Sequence, residues 1–292
     1  MLILLLIASL AGIIASAVRL LILGHALRSG AMPVQEDNAG PASRRAFWLP
    51  LGCLLLLALL LAAGLPRDPN TSEFLRLQMP SFALPFGADA MGRDLLARVA
   101  HGTLHTCLLA LFVSLSCLGI GLMIGLFPRL FTGPIEVTNA LPPVIAGLVV
   151  AAINGPTMTG AAIAVIAVSW APLAAHTAAL VTEINARPYI RMLPVLGVGP
   201  VRRSLLYVLP ALLGPLFRHA MLRLPGIALA LASLGFLGLG APPPTPEWGR
   251  VLAEGMPYIE RAYWGVLAPA AALCVLSILA VSASNLSGRS RG

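Results

Sequence analysis

Lysine is absent from this chain, and every basic side chain is an arginine. Charge of either sign is scarce, at 10% of residues, where a soluble domain carries about 25%. A water-soluble globular domain is excluded on that ground. A P-loop, GxxxxGK[ST], is excluded as well, since its lysine does not exist; the chain has no such route to binding or splitting ATP. GxSxG and HExxH are also missing, which removes the commonest serine-hydrolase and zinc-protease signatures. Only four cysteines occur, Cys53, Cys107, Cys117 and Cys274, each inside an apolar run. They read as small core hydrophobes, not as a disulfide framework or a metal cluster. Finally, no charge precedes Arg19. A secretory signal places positive charge ahead of its apolar stretch, so residues 1–23 read as a retained helix.

What is present is long apolar runs. The mean hydropathy is +0.90, and 58% of the 292 residues are hydrophobic. About 20 apolar residues cross a bilayer as a helix, and only helices and closed barrels satisfy their backbone there. The chain is therefore an all-α polytopic membrane protein. Seven runs are expected to span: 1–23, 47–65, 95–127, 135–153, 158–182, 211–240 and 263–281. Residues 25–46 form a polar linker, 66–94 a mixed-charge loop, 128–134 a short link and 241–262 a proline-rich loop.

Arginine placement sets the sidedness. With the first terminus outside, the inside loops carry Arg28, Arg44, Arg45, Arg129, Arg187, Arg191, Arg202, Arg203, Arg289 and Arg291. The outside loops carry the smaller set, Arg67, Arg76, Arg93, Arg98, Arg250 and Arg261. Arg218 and Arg223 fall within a span, near its inner end on this reading, where snorkelling is cheap. The net charge of +8 lies in short loops. It points to anionic lipid, not to nucleic acid.

The loop 183–210 is the most informative polar stretch. Arg187, Arg191, Arg202 and Arg203 accompany a single acid, Glu183. Two short helices are expected, 188–196 and 201–209, hinged at Gly197-Val198-Gly199-Pro200; proline suits a helix start and glycine a helix end. Such a loop offers a soluble partner something to grip. The plainer reading is a charged loop that only fixes topology.

Two outer segments carry further pattern. Asp89, Arg93 and Asp94 are close enough to pair, while Gly87 and Gly92 permit tight turns; the alternative is a solvated loop with Asp94 as helix N-cap. Gly235, Gly238 and Gly240 thin one helix face for close backbone approach. Pro242-Pro243-Pro244 makes a stiff elbow, and Trp248 suits the membrane interface. His101 and His105 stand i, i+4, the spacing of a metal pair, but no third ligand shares their face. His176 and His219 read as lone, hydrogen-bonded histidines. No nucleophile–base pair lies within a span, so an intramembrane enzyme is the weaker alternative.

Three stretches together resemble one family. Residues 85–98, PFGADAMGRDLLAR, are similar to the LGTDxxGRDxLSR signature of the dipeptide, oligopeptide and nickel ABC importer permeases, C-type subunit. Residues 234–249, LGFLGLGAPPPTPEWG, resemble its SFLGLGxxPPxPxWG. The loop 183–210 resembles its EAA loop, with Gly197 and Leu209-Pro210 in register, although Arg191-Met192-Leu193 stands where the glutamate and two alanines usually occur.

The resemblance implies a type I ABC importer permease fold: a six-span core within 47–292, preceded by an extra helix and linker at 1–46. It implies a transport subunit that moves peptides, nickel or metal chelates across the inner membrane. A homologous permease subunit, two ATPase subunits and a periplasmic or lipid-anchored substrate-binding protein would be its partners. ATP and magnesium would sit on the ATPases, with no cofactor bound here. Tyr189, Arg191, Gly197, Arg202 and Arg203 would couple to the ATPases. Gly87, Asp89, Gly92, Arg93, Asp94, Pro243, Pro246, Trp248 and Gly249 would form the outer mouth. A scaffold that has lost transport remains the other alternative.

Overall fold

The computed structural model describes residues 41–289. The expected helix at 1–23 lies outside the described residues. Among those described there is no strand, only two isolated bridges, Ser72 to Arg93 and Ala88 to Asp94. The rest is helix and loop. The helices are α1 (Pro41–Gly64), α2 (Leu95–Gly125), α3 (Pro128–Asn139), α4 (Pro143–Asn154), α5 (Met158–Ala186), α6 (Pro188–Met192), α7 (Pro200–Phe236), α8 (Trp248–Gly255) and α9 (Trp264–Arg289).

Four of these, α2, α5, α7 and α9, are long and apolar enough to cross a membrane. Their mutual core is built from small and branched side chains, including Val113, Cys117, Ala164, Val165, Leu173, Leu216, Leu231 and Leu234. Small residues let the backbones close up. A Cβ on Gly121 of α2 would meet Leu173 and Ala174 of α5, and one on Gly125 would meet Ala174 and Thr177. The apolar part of α1 is shorter, Pro50–Gly64, and its last residue, Gly64, abuts the Leu96 carbonyl at the start of α2.

Three expectations are corrected here. The run 135–153 is not one straight span. The helices on either side of residues 140–142 meet at 88°, and the link 128–134 is already helical. Pro142 and Pro143 cause the break, because neither has an N–H to carry a helix through and each restricts the residue before it.

The second loop helix is not a separate piece. Residues 200–236 form one rod, with a π turn at Ser204–Val208 in which the Leu209 N–H reaches back to the Ser204 carbonyl. Leu209-Pro210 therefore lies inside a helix. Pro210 has no N–H to offer, and a wider turn just ahead of it accommodates its ring.

Arg223 does not sit near an end of its span. At about 1.5 Å per residue it lies about 21 Å from Leu209, where the rod leaves its π turn, and about 20 Å from Phe236, so it is well inside the apolar part of the rod.

Candidate functional site

The two ends of the bundle are built differently. At one end, residues 66–94 fold as an irregular cap over the start of α2. Gly87 and Gly92 adopt φ of +72° and +77°, and a Cβ on either would strike backbone, the Gln78 carbonyl or the Phe74 carbonyl. Both turns thus require glycine. Asp94 caps α2, its Oδ1 accepting from the Leu96 N–H at 2.8 Å, while its Oδ2 accepts from Arg67 Nη1 at 2.8 Å. Asp94 is thus the N-cap of the alternative reading, but the charged cluster is not solvated: Arg93 and Asp94 are buried, and Arg98 is wholly so.

Charge there forms a lattice. Arg93 Nε donates to Asp89 Oδ2 at 2.6 Å, and its Nη2 donates to Glu254 Oε2 at 2.6 Å. Arg98 Nη2 donates to the same Glu254 oxygen at 2.8 Å, and Arg250 Nε donates to Glu254 Oε1 at 3.2 Å. Asp89, Arg93 and Asp94 were legible as a group. Arg67, Arg98, Arg250 and Glu254 were not singled out, although Glu254 is the hub. Two nitrogens of Arg98, Nε and Nη1, are buried without a hydrogen-bond partner, beside a small cavity that Asp89, Glu254 and Tyr258 help to line.

The 234–249 stretch closes on the same place. Trp248 is fully buried, not interfacial as expected. Its backbone N–H donates to Thr106 Oγ1 at 3.4 Å and its indole N–H to the Val99 carbonyl at 3.3 Å. Gly249 abuts the backbone carbonyl of Ala232 on α7, and a Cβ could not enter. Pro246 is buried and Pro243 exposed, on the elbow between α7 and α8. Gly235 and Gly240 do not serve helix–helix approach. They make room for the buried carboxylate of Glu247, which accepts from the Ala241 N–H at 3.4 Å. Burial pushes the Glu247 carboxyl above the usual glutamate range, against the opposing pull of that N–H and of Arg250. The two motif stretches, far apart in sequence, are thus one structure around the first turns of α2.

At the other end lies the basic loop. The regular ladder of the first short helix stops at Met192, because Pro194 has no N–H to continue it, and one further turn, in which the Leu196 N–H donates to the Met192 carbonyl at 3.2 Å, carries the chain to Gly197. Gly197, at φ +76°, closes it: its N–H donates to the Pro194 carbonyl at 3.0 Å, and the Val198 N–H donates to the Leu193 carbonyl at 3.0 Å. That is a Schellman stop, and its Leu193 and Val198 belong to one apolar cluster. Ile190 and Leu193 turn inward and pack with Val181, Ile184, Val208 and Leu212 in a second core. Tyr189, Arg191, Met192, Val195, Leu196 and Arg202 are exposed, and Arg203 is half-buried. Glu183 and Arg187 pair at 3.1 Å on the surface.

Neither histidine pair gathers a metal set. Among the described residues no group of three or more His, Cys, Asp or Glu is placed to hold an ion. His101 Nε2 lies 3.2 Å from the Arg67 carbonyl. His176 and His219 are not lone: their rings stack.

Comparison with known proteins identifies the family. Residues 117–290 match the family model described as "Binding-protein-dependent transport system inner membrane component". The di/tripeptide transport system permease protein DppC of Pseudomonas aeruginosa is 35% identical over 272 residues, covering 83% of this chain and 89% of the relative. The dipeptide transport system permease protein DppC of Haemophilus influenzae is 30% identical, covering 88% of this chain and 92% of the relative. Its namesake in Escherichia coli is 35% identical over 71% of each chain. The chain therefore belongs to the family of binding-protein-dependent transport system inner membrane components, the non-enzymatic permease subunits of ABC importers, and is a multi-pass protein of the bacterial inner membrane.

Proposed function

We propose that this chain is the C-type permease subunit of an ATP-driven importer of short peptides. The relatives' names favour peptides over the nickel and metal-chelate substrates that the resemblance also allowed. The transmembrane domain would be 47–292. It would work with a homologous permease subunit, two ATPase subunits that carry ATP and magnesium, and a substrate-binding protein outside the membrane. Alternating access would come from rocking of the helices around a central path.

One observation carries the coupling role of residues 183–210: the loop has two faces. Ile190 and Leu193 are buried in the bundle, whereas Tyr189, Arg191, Met192, Leu196 and Arg202 are presented to the exterior. A loop that only fixed topology would not need a packed inner face under an apolar, basic outer one. The inner face anchors the loop to α5 and α7, so a push on the outer face reaches two spans at once. Arg191, in place of the family's usual glutamate, suits an acidic groove on the partner ATPase. At the opposite end the lattice of Asp89, Arg93, Asp94, Arg98 and Glu254 holds the outer mouth in shape.

The test uses the assembled complex. Ser204→Cys, at an exposed position, should resist an impermeant thiol reagent in intact cells and react in inverted membranes. Arg191→Glu should insert normally yet lose ATPase co-purification and peptide uptake through like-charge repulsion. Labelling of Ser204→Cys from outside, or parent-level uptake by Arg191→Glu, defeats the reading.

A further inference from the structure

His176 and His219 lie face to face between α5 and α7, ring centroids 4.1 Å apart and planes within 17°. One helical turn beyond His219, on the same side of α7, stands Arg223. All three side chains are half-buried, so the group opens at the surface of this chain instead of being sealed within it. Counting along the helices, His176 lies about 27 Å from Met158 and about 15 Å from Ala186, and Arg223 about 21 Å from Leu209 and about 20 Å from Phe236, so the cluster lies well inside both apolar helices.

Nothing described compensates its charge. Among the described residues no ion pair or hydrogen bond joins His176, His219 or Arg223 to a carboxylate, and Arg223 Nε is buried with no partner. Arg98, by contrast, which is wholly buried at the outer end of α2, has Glu254 and Asp89. An ionised side chain at mid-depth is expensive; such residues pair with one another or line the path of a polar cargo. Here the donors are all of one kind: a guanidinium fork that matches a carboxylate in two bonds, and imidazoles able to add N–H donors.

We propose that His176, His219 and Arg223 form a carboxylate-binding station on the translocation path, which holds the C-terminal carboxylate of a peptide in transit. The proposal rests on the peptide-importer reading and deepens it, since it assigns to the permease itself a contact with the cargo. A single cationic station, without an acid to lock it, binds firmly enough to admit the anion and weakly enough to release it.

The test is charge restoration in the complete reconstituted importer, with its partner permease, ATPases and binding protein, using ATP-driven uptake of a labelled dipeptide. Arg223→Gln should cut uptake about tenfold or more, while assembly and stimulated ATP hydrolysis persist. In a chain with Cys53, Cys107, Cys117 and Cys274 replaced by serine, Arg223→Cys should be inactive. It should regain uptake after aminoethyl methanethiosulfonate, which restores a cation, and not after the sulfonatoethyl reagent, which adds an anion.

Several results overturn the station while leaving the importer intact: uptake by Arg223→Gln equal to the parent's, equal rescue by both reagents, or failure of Arg223→Gln to assemble. The last would mean that Arg223 pairs with an acid of the partner permease. No peptide uptake by the parent complex would overturn the importer reading first, and the station with it.

Discussion

Arg98 and Glu254 lie 2.8 Å apart though 156 residues separate them in the chain. The bond ties the first turn of α2 to α8, and Arg98 is completely buried. Glu254 serves Arg93 and Arg250 as well, so its removal takes a carboxylate partner from three guanidinium groups at once, leaving Arg93 and Arg98 to share Asp89.

A double-variant cycle checks this lattice. Arg98→Met leaves Glu254 with Arg93 and Arg250, whereas Glu254→Gln leaves the wholly buried Arg98 with only the longer 3.5 Å pairing to Asp89. Breaking one side of a buried ion pair costs about 3–5 kcal/mol. Both single variants should therefore lower the thermal midpoint of the purified chain, Glu254→Gln the more. The double variant should lose less than the sum, by about 1 kcal/mol or more. Strict additivity would show that the two side chains do not depend on each other.

Trp248 separates packing from hydrogen bonding. Trp248→Phe keeps most of the buried ring but loses the indole N–H bond to the Val99 carbonyl, at about 1 kcal/mol. Trp248→Ala empties the site at about 3–5 kcal/mol. Chemical denaturation in detergent should rank them in that order. Similar small losses from both would return Trp248 to the interfacial role that the sequence suggested.

Glu247 predicts a pH dependence of definite sign. Its folded carboxyl is held above the ordinary value, chiefly by burial. The stability tied to its protonated form is complete below the unfolded value, about 4.3, and is lost as pH rises through the raised folded value. Glu247→Gln removes that loss. The variant should exceed the parent in thermal midpoint at pH 8, and the gap should narrow as pH falls towards 5. A gap that widens on acidification would mean that the ionised form is the favoured one.

Gly197 offers a test of backbone alone. No atom lies within 4 Å of where its Cβ would stand, so any cost comes from φ of +76° and not from a clash. Valine there should cost about 1–2 kcal/mol, and asparagine, which visits this region readily, much less. ATPase co-purification should follow the same order. Equal behaviour of the two variants would show that the left-handed turn is not what shapes the loop.

Local chemistry explains what could be read from the sequence. Pro188 and Gly197 bracket the loop helix because one fits a helix start and the other a helix stop, and each effect spans a few residues. Asp94 as a cap and Asp89 with Arg93 are also neighbours in the chain. Glu254 was invisible as a hub because its partners Arg93 and Arg98 are supplied by tertiary folding. Trp248 was misplaced because tryptophan's interfacial preference is a statistical one, and here a pocket at Gly102 and Val99 overrides it. The stacking of His176 on His219 had no local signal at all. The break at 140–142 did have one, Pro142-Pro143, and hydropathy counted across it.

The two-faced loop also bears on how the cell makes this protein. Tyr189, Met192, Val195, Leu196, Val201, Leu205 and Leu206 are all exposed, most of them on a segment that lies at the end of the bundle. A copy synthesised without its partners would display that surface to membrane-bound proteases and to other orphan chains. Subunit ratios would then be set by clearance of the unassembled excess, without matched synthesis. A pulse–chase measurement should give this chain a much shorter half-life when expressed alone than with its ATPases. Equal half-lives would mean that the surface is not recognised as unfinished.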